Sequence, residues 1–211
     1  MLRKTLSDKL LGPRARAQPE CAEEHYERAL RMAEKGLSFA ARQELKRAIR
    51  KRPDFAEAYV ALASNYRNLG QIRRAIKTYL AALDIRPDFV EACRELAFTY
   101  DYSGCFVQAL KLYAQAILLS PADPELRNDL ANVFCHALRY ADAIKLHQQA
   151  LEIEPGNRRA NFFLGLIYAD LNDLGSALQA VEQLKTFGHP DAASQLLGEI
   201  RARVRLPNPE G

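Results

Sequence analysis

Hydrophobic and small residues recur along this chain with a period of 34 residues. In segments that begin at residues 22, 56, 90, 124 and 158, the eighth position is Ala or Gly and the twentieth is Ala. The seventh position is Leu in the last four segments, and the eleventh is Met, Tyr or Phe. Each segment therefore predicts two amphipathic helices, A and B, with small residues where the helices cross closely and bulky residues beside the crossings.

Prolines follow each of the first four predicted B helices at the same interval. They are Pro53, Pro87, Pro121 and Pro155. A proline ends a helix because it has no N–H group and its ring clashes with the preceding turn. We therefore predict that every proline separates one helix pair from the next.

The residues after these prolines predict how the next helix A begins. After the first two prolines, Asp54 and Asp88 stand three residues before Glu57 and Glu91, so we predict that each aspartate and glutamate form a capping box. At the two later junctions we predict that the caps are Asp123, which precedes the first-turn proline Pro124, and Asn157.

This order of small, aromatic and proline positions resembles the tetratricopeptide repeat family. The third segment fits the family pattern best, with Leu96, Ala97, Tyr100, Gly104, Ala109, Tyr113, Ala116 and Pro121. The resemblance implies an all-α, right-handed superhelical solenoid of antiparallel helix pairs. It places five repeats at residues 22–55, 56–89, 90–123, 124–157 and 158–191.

The two ends of the chain depart from the repeat. Residues 192–205 carry apolar side chains at helical spacing, so we predict a C-terminal helix that covers the end of the stack. We expect residues 1–21 to be a flexible basic tail or a short helix, with a targeting segment as the alternative. Residues 206–211 are expected to form a second tail.

The resemblance also indicates where a partner would bind. In the family, helices A line a concave groove, which leaves five positions of each segment free to face it. Aromatic side chains beside arginine and amide groups are typical of a protein-binding groove. The alternative for the aromatic residues is that they pack inside the stack. The predicted groove residues are Tyr26, Val60, Ser64, Arg67, Asn68, Arg94, Phe98, Tyr102, Asn128, Asn132, His136, Arg159 and Phe162.

Charge is unevenly distributed and suggests an alternative function. The chain has a net charge of +4, but residues 1–54 hold fourteen Lys and Arg against eight acidic residues. A convex basic patch of this kind binds nucleic acid or an anionic membrane surface in some proteins. No aromatic residues are interleaved with these cations, which favours a solvated face over nucleic-acid binding. The patch consists of Lys46, Arg47, Arg50, Lys51, Arg73, Arg74 and Lys77.

No catalytic or metal-binding motif is present in the sequence. Walker loops, dinucleotide fingerprints, H-E-x-x-H and nucleophile elbows are missing, and the four cysteines form no C-x-x-C pair. We therefore predict a non-catalytic scaffold without cofactor or metal that binds a protein or peptide. We expect reduced thiols and a cytoplasmic location. The apolar runs are too short to span a membrane, and association with a second copy of the chain stays open.

Overall fold

The computed structural model describes residues 21–204, which form eleven α-helices and no strand. The predicted all-α fold is confirmed. Of the tails predicted at residues 1–21 and 206–211, all but Cys21 lie outside the described residues. The helices are α1 (Ala22–Glu34), α2 (Ser38–Lys51), α3 (Ala56–Asn68), α4 (Ile72–Ile85), α5 (Val90–Tyr102), α6 (Phe106–Leu119), α7 (Pro124–His136), α8 (Tyr140–Ile153), α9 (Arg158–Asp170), α10 (Leu174–Thr186) and α11 (Pro190–Val204).

The first ten helices form five antiparallel pairs that stack in chain order. Each odd-numbered helix packs most closely on the even-numbered helix that follows it, and each pair packs on the next. The odd-numbered helices also approach one another, α1 to α3, α3 to α5 and α5 to α7. They therefore form the inner, concave wall of a right-handed superhelix, and the even-numbered helices form its convex outer surface.

Small side chains occupy the helix crossings, as the sequence predicts. Ala41, Ala75, Ala109, Ala143 and Ala177 are fully buried, one in each pair. A larger side chain at these positions would push the two backbones apart. The period of the sequence is therefore the period of these close approaches.

The last helix closes the C-terminal end of the stack. Helix α11 begins at Pro190, two residues earlier than the predicted boundary, and packs on α9 and α10. Its apolar stripe buries Ala193, Leu196 and Ile200. A Cβ atom at Gly165 would lie 2.5 Å from Leu196 Cδ2, so the fifth repeat needs glycine at this position if α11 is to pack there.

The first two junctions differ from the prediction. The capping positions of α3 and α5 are held by Phe55 and Phe89, and neither helix start has a side-chain cap. The predicted capping boxes of Asp54 and Asp88 are therefore wrong, because each aspartate lies one residue too early in the chain.

Arginine and phenylalanine pack together at these two junctions instead. The Arg52 guanidinium lies 3.4 Å from the centre of the Phe55 ring, and Arg86 lies 3.5 Å from that of Phe89. Arg86 also donates to Glu57 at 2.8 Å. The repeated RPDF sequence is thus a corner in which the arginine covers the ring and holds the preceding helix A.

The later junctions use side-chain caps, as predicted. Asp123 accepts a hydrogen bond from the Glu125 backbone N–H at 2.8 Å, directly before the first-turn Pro124. Asn157 Oδ1 accepts from the Ala160 N–H at 3.0 Å. These caps satisfy N–H groups that the first turn of a helix leaves without a partner.

Candidate partner-binding groove

A ladder of ion pairs crosses the inner wall from one odd-numbered helix to the next. Arg67 of α3 pairs with Glu95 of α5 at 2.5 Å, and Arg94 of α5 pairs with Asp129 of α7 at 2.6 Å. Arg159 of α9 donates to the same Asp129 at 2.8 Å. The three arginines predicted as free donors to a partner are therefore bound to carboxylates of the chain itself.

The carboxylates around Arg159 stabilise the charged form of its guanidinium. Partial burial acts to lower the pKa of the guanidinium, but the hydrogen bonds and charges of Asp129 and Glu125 outweigh burial and raise the pKa. Arg159 is about two-thirds buried, so solvent screens its pairs less than it screens fully exposed pairs. The ladder fixes the spacing of α5, α7 and α9 along the groove.

Two exposed aromatic side chains lie on the inner wall at α5. Phe98 is 48% exposed and Tyr102, one helical turn later, is 74% exposed. The Arg67 guanidinium lies 5.0 Å from the centre of the Phe98 ring. His136 of α7 donates to the Asp101 carboxylate at 3.0 Å, also on this wall. The structure thus places this aromatic pair on the inner wall near two other predicted residues, Arg67 and His136.

The other two predicted aromatic residues pack within the chain. The Tyr26 ring lies 4.9 Å from the Phe55 ring, and Phe162 packs edge-on against Phe163 with ring centres 5.9 Å apart. Both side chains are half-buried. They contribute an edge to the groove surface, but most of each ring belongs to the stack.

The predicted amide and hydroxyl residues differ in how far they are exposed. Asn68 is exposed at the end of α3, while Asn132 and Ser64 are half-buried. Ser64 Oγ shares a hydrogen bond of 2.8 Å with the Tyr79 hydroxyl. Asn68 is therefore the amide of this set with most surface left for a partner.

Two predicted groove residues are buried in the stack. Val60 is 4% exposed and packs in the core of the first repeats. Asn128 is fully buried. Its Nδ2 donates to Asn157 Oδ1 at 2.9 Å, so it ties the fourth helix pair to the cap of the fifth.

A buried histidine completes this network, which sequence reasoning missed. His147 Nδ1 donates to Asn128 Oδ1 at 2.9 Å, and its Nε2 has no partner among the described residues. Burial, followed by the charge of Arg159, lowers the pKa of His147 to about 4. His147 stands at a position that holds Tyr79 and Tyr113 in the two preceding segments, so the sequence indicates a packed ring but not its hydrogen bond. The ring stacks on Phe163 with centres 5.9 Å apart.

A cavity of about 280 Å³ opens on the inner wall of the first two repeats. Sequence reasoning missed this cavity, although one signal was available. Asn65 is a polar residue at a position where two of the other segments have Val133 and Ile167. The cavity is lined by Tyr26, Ala29, Leu30, Ala33, Ser38, Ala41, Leu45, Glu57, Val60, Ala61, Ser64, Asn65, Asn68 and Glu91.

The cations of the basic patch lie on two of the outer, even-numbered helices. All seven of its cations are exposed on α2 and α4. Arg47 pairs with Glu44, and Arg74 donates to Gln71 at 2.9 Å. Arg50 and Lys51 line an open cavity of about 560 Å³ together with Arg47 and His25, and the other cations of the patch face solvent.

Other chemistry finds little support in the part of the chain that the structure describes. No group of three His, Cys, Asp or Glu side chains converges as metal ligands between residues 21 and 204. The four cysteines are unpaired thiols, and burial, followed by the charge of Asp170, raises the pKa of Cys135 to about 11. None of the helices at residues 22–204 has the length and apolar character that a membrane span requires.

Comparisons with known proteins identify the repeat. Tetratricopeptide repeat models match residues 56–89, 95–157 and 136–200. Residues 22–55 lie outside these matches but form the same antiparallel helix pair in the structure. Comparison with curated protein sequences finds no match.

Solved structures share the architecture at low sequence identity. A double mutant of MamA from strain RS-1 is 18% identical, with a TM-score of 0.70 over 83% of this chain and 98% of that one. TTC0263, a thermophilic tetratricopeptide repeat protein of Thermus thermophilus, is 19% identical, with a TM-score of 0.68 over 88% of this chain and 100% of that one. At this identity the likeness shows the fold alone.

Proposed function

Because the chain belongs to the tetratricopeptide repeat family, whose stacks serve as protein-interaction scaffolds, we propose that it binds a partner peptide or helix along its inner wall. The observation that carries this proposal is the exposed pair Phe98 and Tyr102. About half of Phe98 and most of Tyr102 stay exposed on the concave surface, and large aromatic side chains are the residue type that dominates binding energy at interfaces.

The ion-pair ladder supports the proposal by keeping the groove rigid. Three arginines form ion pairs between neighbouring helices of the wall, so their charges are already paired before a partner binds. They are Arg67, Arg94 and Arg159. A preformed wall loses little conformational entropy when a partner binds, which leaves more of the contact energy as affinity. In this view, the aromatic pair provides the contact and the arginines position it.

The proposed scaffold is non-catalytic and works in the cytoplasm, where its four unpaired cysteines stay reduced. Binding through the basic patch is the alternative, and it predicts a different response to salt. A groove contact through aromatic side chains persists at several hundred millimolar salt, whereas a charge-driven contact weakens steeply.

The test is affinity capture with matched variants of the full chain. A partner identified by mass spectrometry with the wild-type chain should bind at least about tenfold more weakly to the Phe98→Ala, Tyr102→Ala double variant. Phe39→Ala, at an exposed phenylalanine of α2, is the control and should leave affinity unchanged. If only the reversals Lys46→Glu, Arg47→Glu and Arg50→Glu abolish binding, the groove is not the site.

A further inference from the structure

The cavity of the first two repeats has an apolar wall between two polar ends. Ala29, Leu30, Leu45 and Ala61 form part of its middle. Helices α1 and α3 run parallel along it, so Glu57 lies at one end and Asn68 at the other. Eleven residues of helix separate these two positions, a rise of about 16 Å. This length matches about five residues of extended peptide.

A buried acceptor in the cavity wall lacks a partner. Asn65 is 8% exposed and lines the cavity. Its Nδ2 donates to the Ser38 carbonyl at 2.9 Å, while its Oδ1 has no hydrogen-bond partner among the described residues. A buried acceptor without a donor destabilises the free protein. An N–H group of a bound peptide at this end of the cavity would remove that penalty.

The opposite end of the cavity carries an excess of negative charge. Glu57 pairs with Arg86, but Glu91 forms no ion pair among residues 21–204. Burial and then the charges of Glu95 and Glu57 raise the pKa of Glu91, against the opposing charges of Arg86 and Arg94, which are themselves paired with Glu57 and Asp129. Burial and then the charges of Glu91 and Glu57 raise the pKa of Tyr26. A cation placed beside Glu91 would be attracted by these carboxylates, and an anion would be repelled.

Resting on the proposed use of the inner wall, we infer that this cavity binds a basic segment of the partner. An aliphatic side chain of that segment fills the apolar middle, and a lysine or arginine one or two residues away pairs with Glu91. The volume of about 280 Å³ lies just below the range of sites for whole small molecules, about 300 to 1,000 Å³, which favours one or two side chains as the occupant.

The probe is a positional library of acetylated pentapeptide amides, applied to the immobilised full chain. We expect enrichment of lysine or arginine at one end and of leucine, isoleucine or methionine in the middle. The best peptide should bind about tenfold more weakly to Glu91→Gln, which removes the charge that the cation meets. Ala61→Leu places a larger side chain of α3 in the cavity and should weaken binding of the best peptide at least as much.

A matched control separates the cavity from general charge effects. Glu152→Gln makes the same substitution on the exposed surface of α8 and should leave peptide affinity unchanged. Circular dichroism and thermal unfolding of each variant establish that it is folded. Enrichment of acidic peptides, or no enrichment, overturns the inference, and so does wild-type affinity in Glu91→Gln.

Further outcomes assign the site to a different occupant or to none. If Glu91→Gln converts a dimer to a monomer in light scattering, the occupant is a second copy. If Arg3→Gln, Lys4→Gln and Lys9→Gln together raise peptide affinity tenfold, the occupant is the N-terminal segment of the chain. Either result overturns the assignment to a partner. If partner capture needs Phe98 and Tyr102 but not Glu91 or Ala61, this inference fails while the proposed function stands.

Discussion

Arg52 and Arg86 cover the rings of Phe55 and Phe89 at the first two junctions between repeats, whereas Asp123 and Asn157 cap the next helix at the last two. The spacing between helix pairs is 34 residues in both regions. Different corner chemistry therefore supports the same geometry. The buried alanines at the helix crossings set the period, and the junctions only have to connect helices whose positions are already fixed.

The same two regions differ in how their inner polar groups are satisfied. In the first two repeats, Asn65 Oδ1 lacks a partner beside an open cavity. In the fourth and fifth, Asn128, His147 and Asn157 form a buried network that leaves only His147 Nε2 without a partner among the described residues. An unsatisfied acceptor beside a cavity is available to a ligand, while hydrogen bonds between buried side chains of different helices stabilise the stack. In the first region a polar acceptor is thus left open at a cavity, whereas in the second the buried amides connect one helix pair to the next.

Removing Asn157 from the buried network of the fourth and fifth repeats should have the largest effect on stability. Asn157→Ala deletes the cap of α9 and leaves Asn128 without one of its acceptors, so we expect a loss of about 3 kcal/mol in the free energy of unfolding. Urea denaturation monitored by circular dichroism measures this loss. Asn68→Ala, at an exposed helix end, should cost less than about 0.5 kcal/mol. Equal losses in the two variants would contradict the contrast between the regions.

His147, in the same buried network, should also make stability depend on pH. The pKa of His147 is about 4 in the folded state, below its ordinary value of 6.5, so the unfolded chain binds the proton first. Stability from this group is complete above pH 6.5 and is lost as the pH falls toward 4, by about 3 kcal/mol in all. Urea titrations at several pH values measure the slope. His147→Gln keeps a donor for Asn128 and should remove this part of the pH dependence; an unchanged slope would exclude His147 as its source.

The contact of α11 with the fifth repeat should tolerate no added methyl group. Gly165→Ala places Cβ within 2.5 Å of the buried Leu196, and we expect a loss of about 1 to 2 kcal/mol. Gly198→Ala is the control, because a Cβ there meets nothing within 4 Å and alanine favours a helix over glycine by about 1 kcal/mol. Thermal unfolding should therefore shift in opposite directions for the two variants. A loss in both would show that α11 does not pack as described.

The turns within the repeats also divide the molecule into two regions. Gly36, Gly70 and Gly104 hold a positive φ in the first three turns, where Leu138 and Asn172 stand in the last two. Leucine is strained at φ 57°, so we expect Leu138→Gly to stabilise the chain by about 1 kcal/mol in urea denaturation. Asn172→Gly should change stability less, because asparagine tolerates this conformation. A destabilising Leu138→Gly would mean that its exposed side chain contributes packing.

Sequence reasoning predicted the features that follow from a spacing rule and missed those that depend on contacts between distant residues. The buried alanines and the prolines after the B helices recur every 34 residues, and the apolar stripe of α11 has helical spacing, so one physical rule identifies each set. The burial of Asn128 could not be predicted this way, because its position holds Arg94 and Phe162 in neighbouring segments. Its environment depends on His147 and Asn157, which lie 19 and 29 residues away.

The smallest expected difference is between the stability losses caused by replacing an aspartate at each kind of junction. Asp123→Ala removes a hydrogen bond to the first turn of α7 and should cost about 1 kcal/mol. Asp54→Ala should cost less than about 0.5 kcal/mol, because the start of α3 has no side-chain cap and no described residue bonds to this carboxylate. Both aspartates lie in the turn after a proline of the repeat. Comparing the two variants therefore separates the loss of a helix cap from the loss of an aspartate in the turn. Equal losses would mean that Asp54 caps α3 in solution, and the distinction between the junctions would then rest on the Arg–Phe contacts alone.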